Sequence, residues 1–250
     1  MTKPSYVSDV VLKSELKGLR PLLLQWIKLI KEYCEANHCT DNPWWYSERA
    51  NVGLLAGAAW RVRKKWHSLE EFPTDKRRTS TGKNKKMEPD IPTGGVEKKK
   101  NVRGRCDLYV SHASKGFVIE AKQAWQNLSP KAEQNRLVEA MRLARNDAGN
   151  LHPGEADHRI GAVFVVPFVP TNLLREKRAG TKKGPINAGL AADMIRDWID
   201  ESQVGEYSGY AYVYTKSCDG YISAKGDRLF PGVVLVLSRC KTGTYTSKKM

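Results

Sequence analysis

The chain has no Cys-x-x-Cys pair, and its five cysteines (Cys34, Cys39, Cys106, Cys218 and Cys240) are an odd count. Its histidines do not supply the other half of a zinc pattern. A disulfide framework and a structural zinc site are thereby set aside, and reduced thiols in a cytoplasmic protein are the expectation. No run of about 18 apolar residues occurs, so no membrane-spanning helix is expected. The opening residues lack the unbroken apolar core of a signal peptide. No basic amphipathic helix stands out, which argues against an anionic membrane as partner. Internal repeats are absent. Acidic residues are scarce: 27 stand against 42 Lys and Arg, a net charge of +15. A field of that sign attracts polyanions, nucleic acid first among them.

What is present is globular. The 250 residues are 40% hydrophobic and 9% aromatic, enough for a sizeable core in one domain. A short helix is expected over 8–18 and a second over 21–36, together making an N-terminal helical extension over 1–43. Leu22, Leu23, Trp26, Ile27, Ile30, Tyr33 and Cys34 recur at three and four, so one face packs on a core. Asp41, Asn42 and Pro43 read as a helix start for 44–66. Leu55, Ala58, Ala59, Val62 and Trp66 give its buried stripe. Seven residues before Leu55 lies Glu48, an acid on that same inward stripe, where a carboxylate needs a partner. Trp44, Trp45 and Tyr46 suit either base stacking or the core. Residues 68–74 read as a strand that Pro73 stops or places at an edge.

Residues 75–105 are nearly empty of large apolar side chains and carry eleven basic residues against four acidic, a net +7. Burial cannot offset the ordering entropy of such a segment, so a flexible basic insertion over 75–104 is expected within a domain spanning 44–240. Either it is only solvated, or Arg77, Arg78, Lys83, Lys85, Lys86, Lys98, Lys99, Lys100, Arg103 and Arg105 grip a nucleic-acid backbone. The basic loop 171–185, with Lys182 and Lys183, poses the same alternative. Further on, helices are expected over 130–148 and 186–201, and strands over 160–168, 210–215 and 232–238. A polar tail closes the chain over 241–250.

Between the basic segment and the third helix lies the stretch 104–122. Cys106, Leu108 and Val110 alternate with Asp107, Tyr109 and Ser111. Phe117, Ile119 and Ala121 alternate with Val118, Glu120 and Lys122. Two strands joined by a short Gly-containing turn would bring Asp107, Glu120 and Lys122 to one face. Two carboxylates are what a hard divalent ion such as Mg²⁺ or Mn²⁺ asks for, and the Ala121 carbonyl would complete the set. Beside them Lys122 would orient or deprotonate a water, or neutralise a phosphate. A lysine in a dry site near other cations has a lowered pKa, which would suit it to base chemistry.

Asp107, then Glu120-Ala121-Lys122 after twelve intervening residues, resembles the PD-(D/E)XK nuclease superfamily. The expected order helix, three strands, helix, strand over 44–168 is similar to that family's core. Cys106 stands where the family name has proline. The resemblance implies a restriction-endonuclease-like αβββαβ core: an α/β fold with a mixed sheet flanked by helices. It implies a Mg²⁺- or Mn²⁺-dependent nuclease acting on DNA, with Glu48 as the first-helix acid and Gln123 as a polar active-site residue. A non-catalytic DNA-binding protein of the same fold, or an RNA-directed nuclease, is the alternative. Cutting both strands of a duplex usually needs two sites, which leaves a homodimer as an open expectation.

Overall fold

The computed structural model describes residues 5–62, 65–77, 101–113, 115–130, 132, 135–175, 184–216 and 221–240. Strand β1 (Tyr6–Leu12) leads through a 3-10 turn into helix α1 (Arg20–Ala36). A second 3-10 turn at Pro43–Trp45 precedes α2 (Glu48–Arg61). Then come β2 (Trp66–Arg77), β3 (Asn101–His112), β4 (Lys115–Asn127), α3 (Arg136–Asn150) and β5 (His158–Pro170). The one-turn α4 (Thr171–Leu174), α5 (Ala188–Glu201), β6 (Gly209–Thr215), β7 (Arg228–Leu229) and β8 (Gly232–Arg239) complete it. The fold is mixed α/β. The main sheet runs β1-β6-β8-β5-β4-β3-β2, and β7 pairs with β5 off that path.

Among the described strands only β4 and β5 pair in parallel, and α3 makes the crossover between them. Parallel neighbours need such a connection. β5 is the spine: residues 159–167 are all buried, as expected of a strand covered on both faces. Gly161, paired with Glu120, brings α3 close. A Cβ there would lie 2.8 Å from the Arg145 backbone nitrogen, so only glycine lets the helix sit this near the sheet. On the other face, Trp26 of α1 meets the Phe164 ring at 6.2 Å. Pro73 lies in β2, the edge strand, where a missing donor does least harm.

Several expected elements differ. Residues 8–18 are not one helix: residues 8–12 are strand, and a 3-10 helix runs Ser14–Leu19. Tyr6, Val7, Val10 and Val11 belong to β1, where β-branched and aromatic residues pair along β6. The helix expected over 44–66 begins at Glu48 and ends at Arg61. Trp66 instead starts β2, stacked at 4.6 Å on His112 of the paired strand. The helix expected from residue 130 begins at Arg136, because the Asn135 side chain caps it by accepting from the Leu137 N–H. The segment expected to be a loop from residue 75 is strand at both ends, as β2 and β3 stay paired out to Arg77 and Asn101.

Candidate active site

β2 and β3 pair residue for residue except at one place. Glu70 faces Leu108 and Phe72 faces Cys106, but Glu71 and Asp107 between them do not pair. Glu71 has φ +51°, a left-handed backbone unusual for a residue with a side chain. The strand changes phase there. Leu108 and Val110 join the main core, whereas Cys106 packs with Val118 and Leu151 in a separate cluster. The expected common face of Cys106, Leu108 and Val110 is therefore broken at Asp107.

The β3–β4 ladder stops at the same point. It pairs Leu108–His112 with Lys115–Ile119 and goes no further. Beyond it, β4 keeps β5 on one side and loses β3 on the other. Strand N–H groups left without a ladder need other acceptors. The Ala121 N–H donates to Asp107 Oδ2 at 2.7 Å. The Gln123 N–H, on the same edge, helps hold the Glu48 carboxylate in its charged form. Within one strand residue, N–H and C=O point to the same edge, so the Ala121 carbonyl faces this gap as well.

Glu120 is 3% exposed. Burial, with Asp107 beside it, pushes its carboxyl up to about 7, although the Lys76 hydrogen bond pulls the other way. Lys76 Nζ donates to Glu120 Oε1 at 2.7 Å, reaching across β3 from β2. Its stem lies over Gly104, where a Cβ would come within 2.8 Å of Lys76 Cδ and 2.9 Å of Cγ. Gly104 is the notch through which Lys76 passes.

Lys122 pairs with Asp147 of α3 at 3.0 Å. Burial alone would lower its ammonium, but the Asp147 hydrogen bond and charge, with Glu48 and Asp107, outweigh that and raise it. The expectation of a lowered lysine is corrected: three acids, not other cations, surround it. Glu48, the first residue of α2, is raised by burial and by Asp107, while Lys122 opposes that shift. Asp107 is thus within electrostatic reach of Glu48, Glu120 and Lys122, and Glu48 and Lys122 are within reach of each other.

Gln123 serves another end. Its side-chain amide donates to the Tyr46 carbonyl at 3.0 Å and the Trp44 carbonyl at 3.3 Å, tying β4 to the segment that launches α2. Trp44 is fully buried in the core, and Tyr46 is exposed. Of the basic residues, Arg103 and Arg105 are exposed on β3, and Arg105 lies 3.7 Å from Glu71. Arg77 lies at the end of β2; its side chain is outside the described residues, as are Arg78, Lys83, Lys85, Lys86, Lys98, Lys99, Lys100, Lys182 and Lys183.

Sequence reasoning missed Asp147 and Lys76 as partners of this cluster. Asp147 had a signal: it stands three residues after Ala144 and seven after Ala140, on the shoulder of the α3 stripe. Lys76 had none, because its reach depends on the β2–β3 register and the Gly104 notch. No protein family, curated protein or solved structure matches the chain.

Proposed function

We propose that the protein is a metal-dependent nuclease of the PD-(D/E)XK type that hydrolyses DNA. One observation carries the reading. Where β4 loses β3, two carboxylates, Asp107 and Glu48, gather at the freed N–H edge beside Glu120 and Lys122. The element order α2-β2-β3-β4-α3-β5 supports it by resembling that family's core. So does the net charge of +15.

The donor set fits a hard divalent cation. Asp107, Glu120 and the Ala121 carbonyl offer oxygen on one gap, as Mg²⁺ or Mn²⁺ requires. Glu120 already draws a cation, the Lys76 ammonium. Among the described residues no cluster of three or more His, Cys, Asp or Glu is arranged to hold a metal. On this reading the third donor is main chain, not a third side chain. When bound, such an ion lowers the pKa of a water and neutralises phosphate charge. The chain's own groups do the rest. Lys122, held charged by Asp147, orients a water or stabilises the phosphate rather than acting as a base. Gln123 anchors the start of α2 and so places Glu48 beside Lys122.

The test is cleavage of plasmid, single-stranded DNA and RNA with Mg²⁺, with Mn²⁺ and with EDTA. Asp107→Ala and Lys122→Ala are each expected to lower cleavage by about 10²- to 10³-fold, the scale of losing one preorganised charge contact. Equal metal-dependent cleavage by wild type and both variants would overturn the assignment. Binding without cleavage under any metal would favour a non-catalytic binder, and cleavage of RNA alone would move the substrate.

A further inference from the structure

Among the described residues the edge of β4 that opens at Glu120 has no strand partner through Asn127, and Gln123, Ala124, Trp125 and Asn127 of this stretch line a groove of about 850 Å³. That volume is in the range of small-ligand sites, roughly 300–1,000 Å³. Gln123 lies at its end beside Lys122. Leu143 of α3, one turn before Asp147, joins the two sites on the other wall.

The two walls differ in chemistry. One is aromatic. Trp125 is 41% exposed and is braced edge-on against Phe230 at 5.4 Å. Next to it Phe168 carries the Arg228 guanidinium over its ring at 5.0 Å. The other wall, α3, presents Arg136 at its first residue. A cation there opposes the positive end of the helix, an arrangement that disfavours the free helix and favours an anion held beside it. No ion pair to Arg136 forms among the described residues. The groove's acid, Glu139, is engaged by Arg142 through two hydrogen bonds, at 2.7 and 2.9 Å.

We infer that this groove is a subsite for an unpaired nucleotide of a single-stranded nucleic acid. A base stacks on Trp125, and the flanking phosphates lie between Arg136 and Arg228. An indole stacks on a base whose face is free, and bases inside a duplex have none to offer. Stacking with cation contacts is the usual chemistry of single-strand grooves. An open strand edge can also accept an extended peptide, but two arginines and a chain of net charge +15 favour the polyanion. The inference rests on the nucleic-acid reading above and narrows it, since the groove leads a single strand to the Asp107–Lys122 gap.

The experiment is fluorescence anisotropy in EDTA, with a labelled oligo-dT strand and a labelled duplex of equal length. It needs no catalysis. Trp125→Ala is expected to weaken single-strand binding roughly 5- to 150-fold, the range for losing one base–aromatic stack. Trp125→Phe is expected to retain most of the binding, and duplex binding to stay unchanged. Arg228→Gln is expected to reduce the salt slope by about one. Single-strand binding indifferent to Trp125→Ala, with an unchanged melting curve, would overturn the subsite, as an extended peptide on that edge would require. If Trp125→Ala does not fold, a salt slope unmoved by Arg228→Gln overturns it instead. Trp125-dependent binding without any cleavage would leave the subsite standing and remove the nuclease reading. Cleavage with Trp125-independent binding would do the reverse.

Discussion

β3 and β4 form one hairpin with two unlike halves. In the closed half, Leu108–His112 pairs with Lys115–Ile119, and Leu108, Val110, Phe117 and Ile119 are buried. In the open half the strands part at Asp107 and Glu120, and the gap fills with carboxylates and lysines. The closed half satisfies its backbone internally and has apolar side chains to bury. The open half frees backbone donors from the ladder: the Ala121 N–H donates to Asp107, and the Gln123 N–H favours the charged form of Glu48 against its burial. Charge gathers where the ladder fails because the failed ladder supplies its partners. Burial raises Glu48 too, and its penalty shows most at Glu120, which is lifted to about 7.

Damage to the closed half should cost the most stability. Leu108 is fully buried, next to the point where pairing ends. Leu108→Ala is expected to lower unfolding free energy by about 2–5 kcal/mol, read from urea denaturation. Nucleic-acid binding per folded molecule should stay the same, because Leu108 faces the core and not the gap. A loss below about 1 kcal/mol would mean that the closed half does not brace the open one.

The open half should respond in the opposite sense. The Glu120 carboxyl is raised, so between pH 4.5 and about 7 the folded chain keeps a proton that the unfolded chain has released. The stability this gives is fully present below 4.5 and is lost as pH rises through about 7. The full shift corresponds to roughly 3 kcal/mol at most. Glu120→Gln removes that titration. At pH 8 the variant is expected to equal or exceed wild type by about 1 kcal/mol, and to lose the decline in stability from pH 5 to 8. Thermal melts across that range would show it. An unchanged slope would mean that Glu120 is not the group whose burial strains the site.

The two halves were not equally legible in sequence. Alternation at Leu108, Val110, Phe117 and Ile119 marks the closed half, and the same alternation places Glu120 and Lys122 on one side of β4. The helix stripes also spoke plainly: Glu48 stood out as an acid at a buried spacing, and Lys122 is the cation that opposes the shift its burial causes. The phase change at Asp107 did not show. It follows from a left-handed Glu71 on the neighbouring strand, and glutamate has no local preference that announces one. β1 is hidden because Val11, Leu12 and Leu16 are spaced as a helix stripe, and pairing with β6 is what makes Val11 and Leu12 strand. The raised Lys122 was hidden for the same reason as the α3 partner that raises it. Asp147 lies 25 residues away in sequence and reaches Lys122 only because Gly161 lets α3 sit close.

The smallest effect tests whether the open half keeps its own counter-ion. Lys76 enters from the edge strand over Gly104 and occupies a Glu120 oxygen that the nuclease reading assigns to a metal. An ammonium and a divalent ion cannot both hold that oxygen at hydrogen-bond distance, so they compete. Lys76 is partly exposed but Glu120 is buried, so the cost of desolvating the pair offsets much of its attraction and the net hold is modest. Lys76→Met is therefore expected to tighten Mn²⁺ binding by roughly threefold to fivefold. Titration at pH 8, followed by the loss of the free-ion paramagnetic resonance signal, keeps the Glu120 charge from obscuring the result. Gly104→Val should act in the same direction without touching the lysine, since its side chain would fill the notch and push Lys76 off. Weaker metal binding in both variants would show that Lys76 steadies Glu120 for the metal instead of competing with it. The contrast between a self-satisfied half and a half awaiting an external cation would then no longer hold.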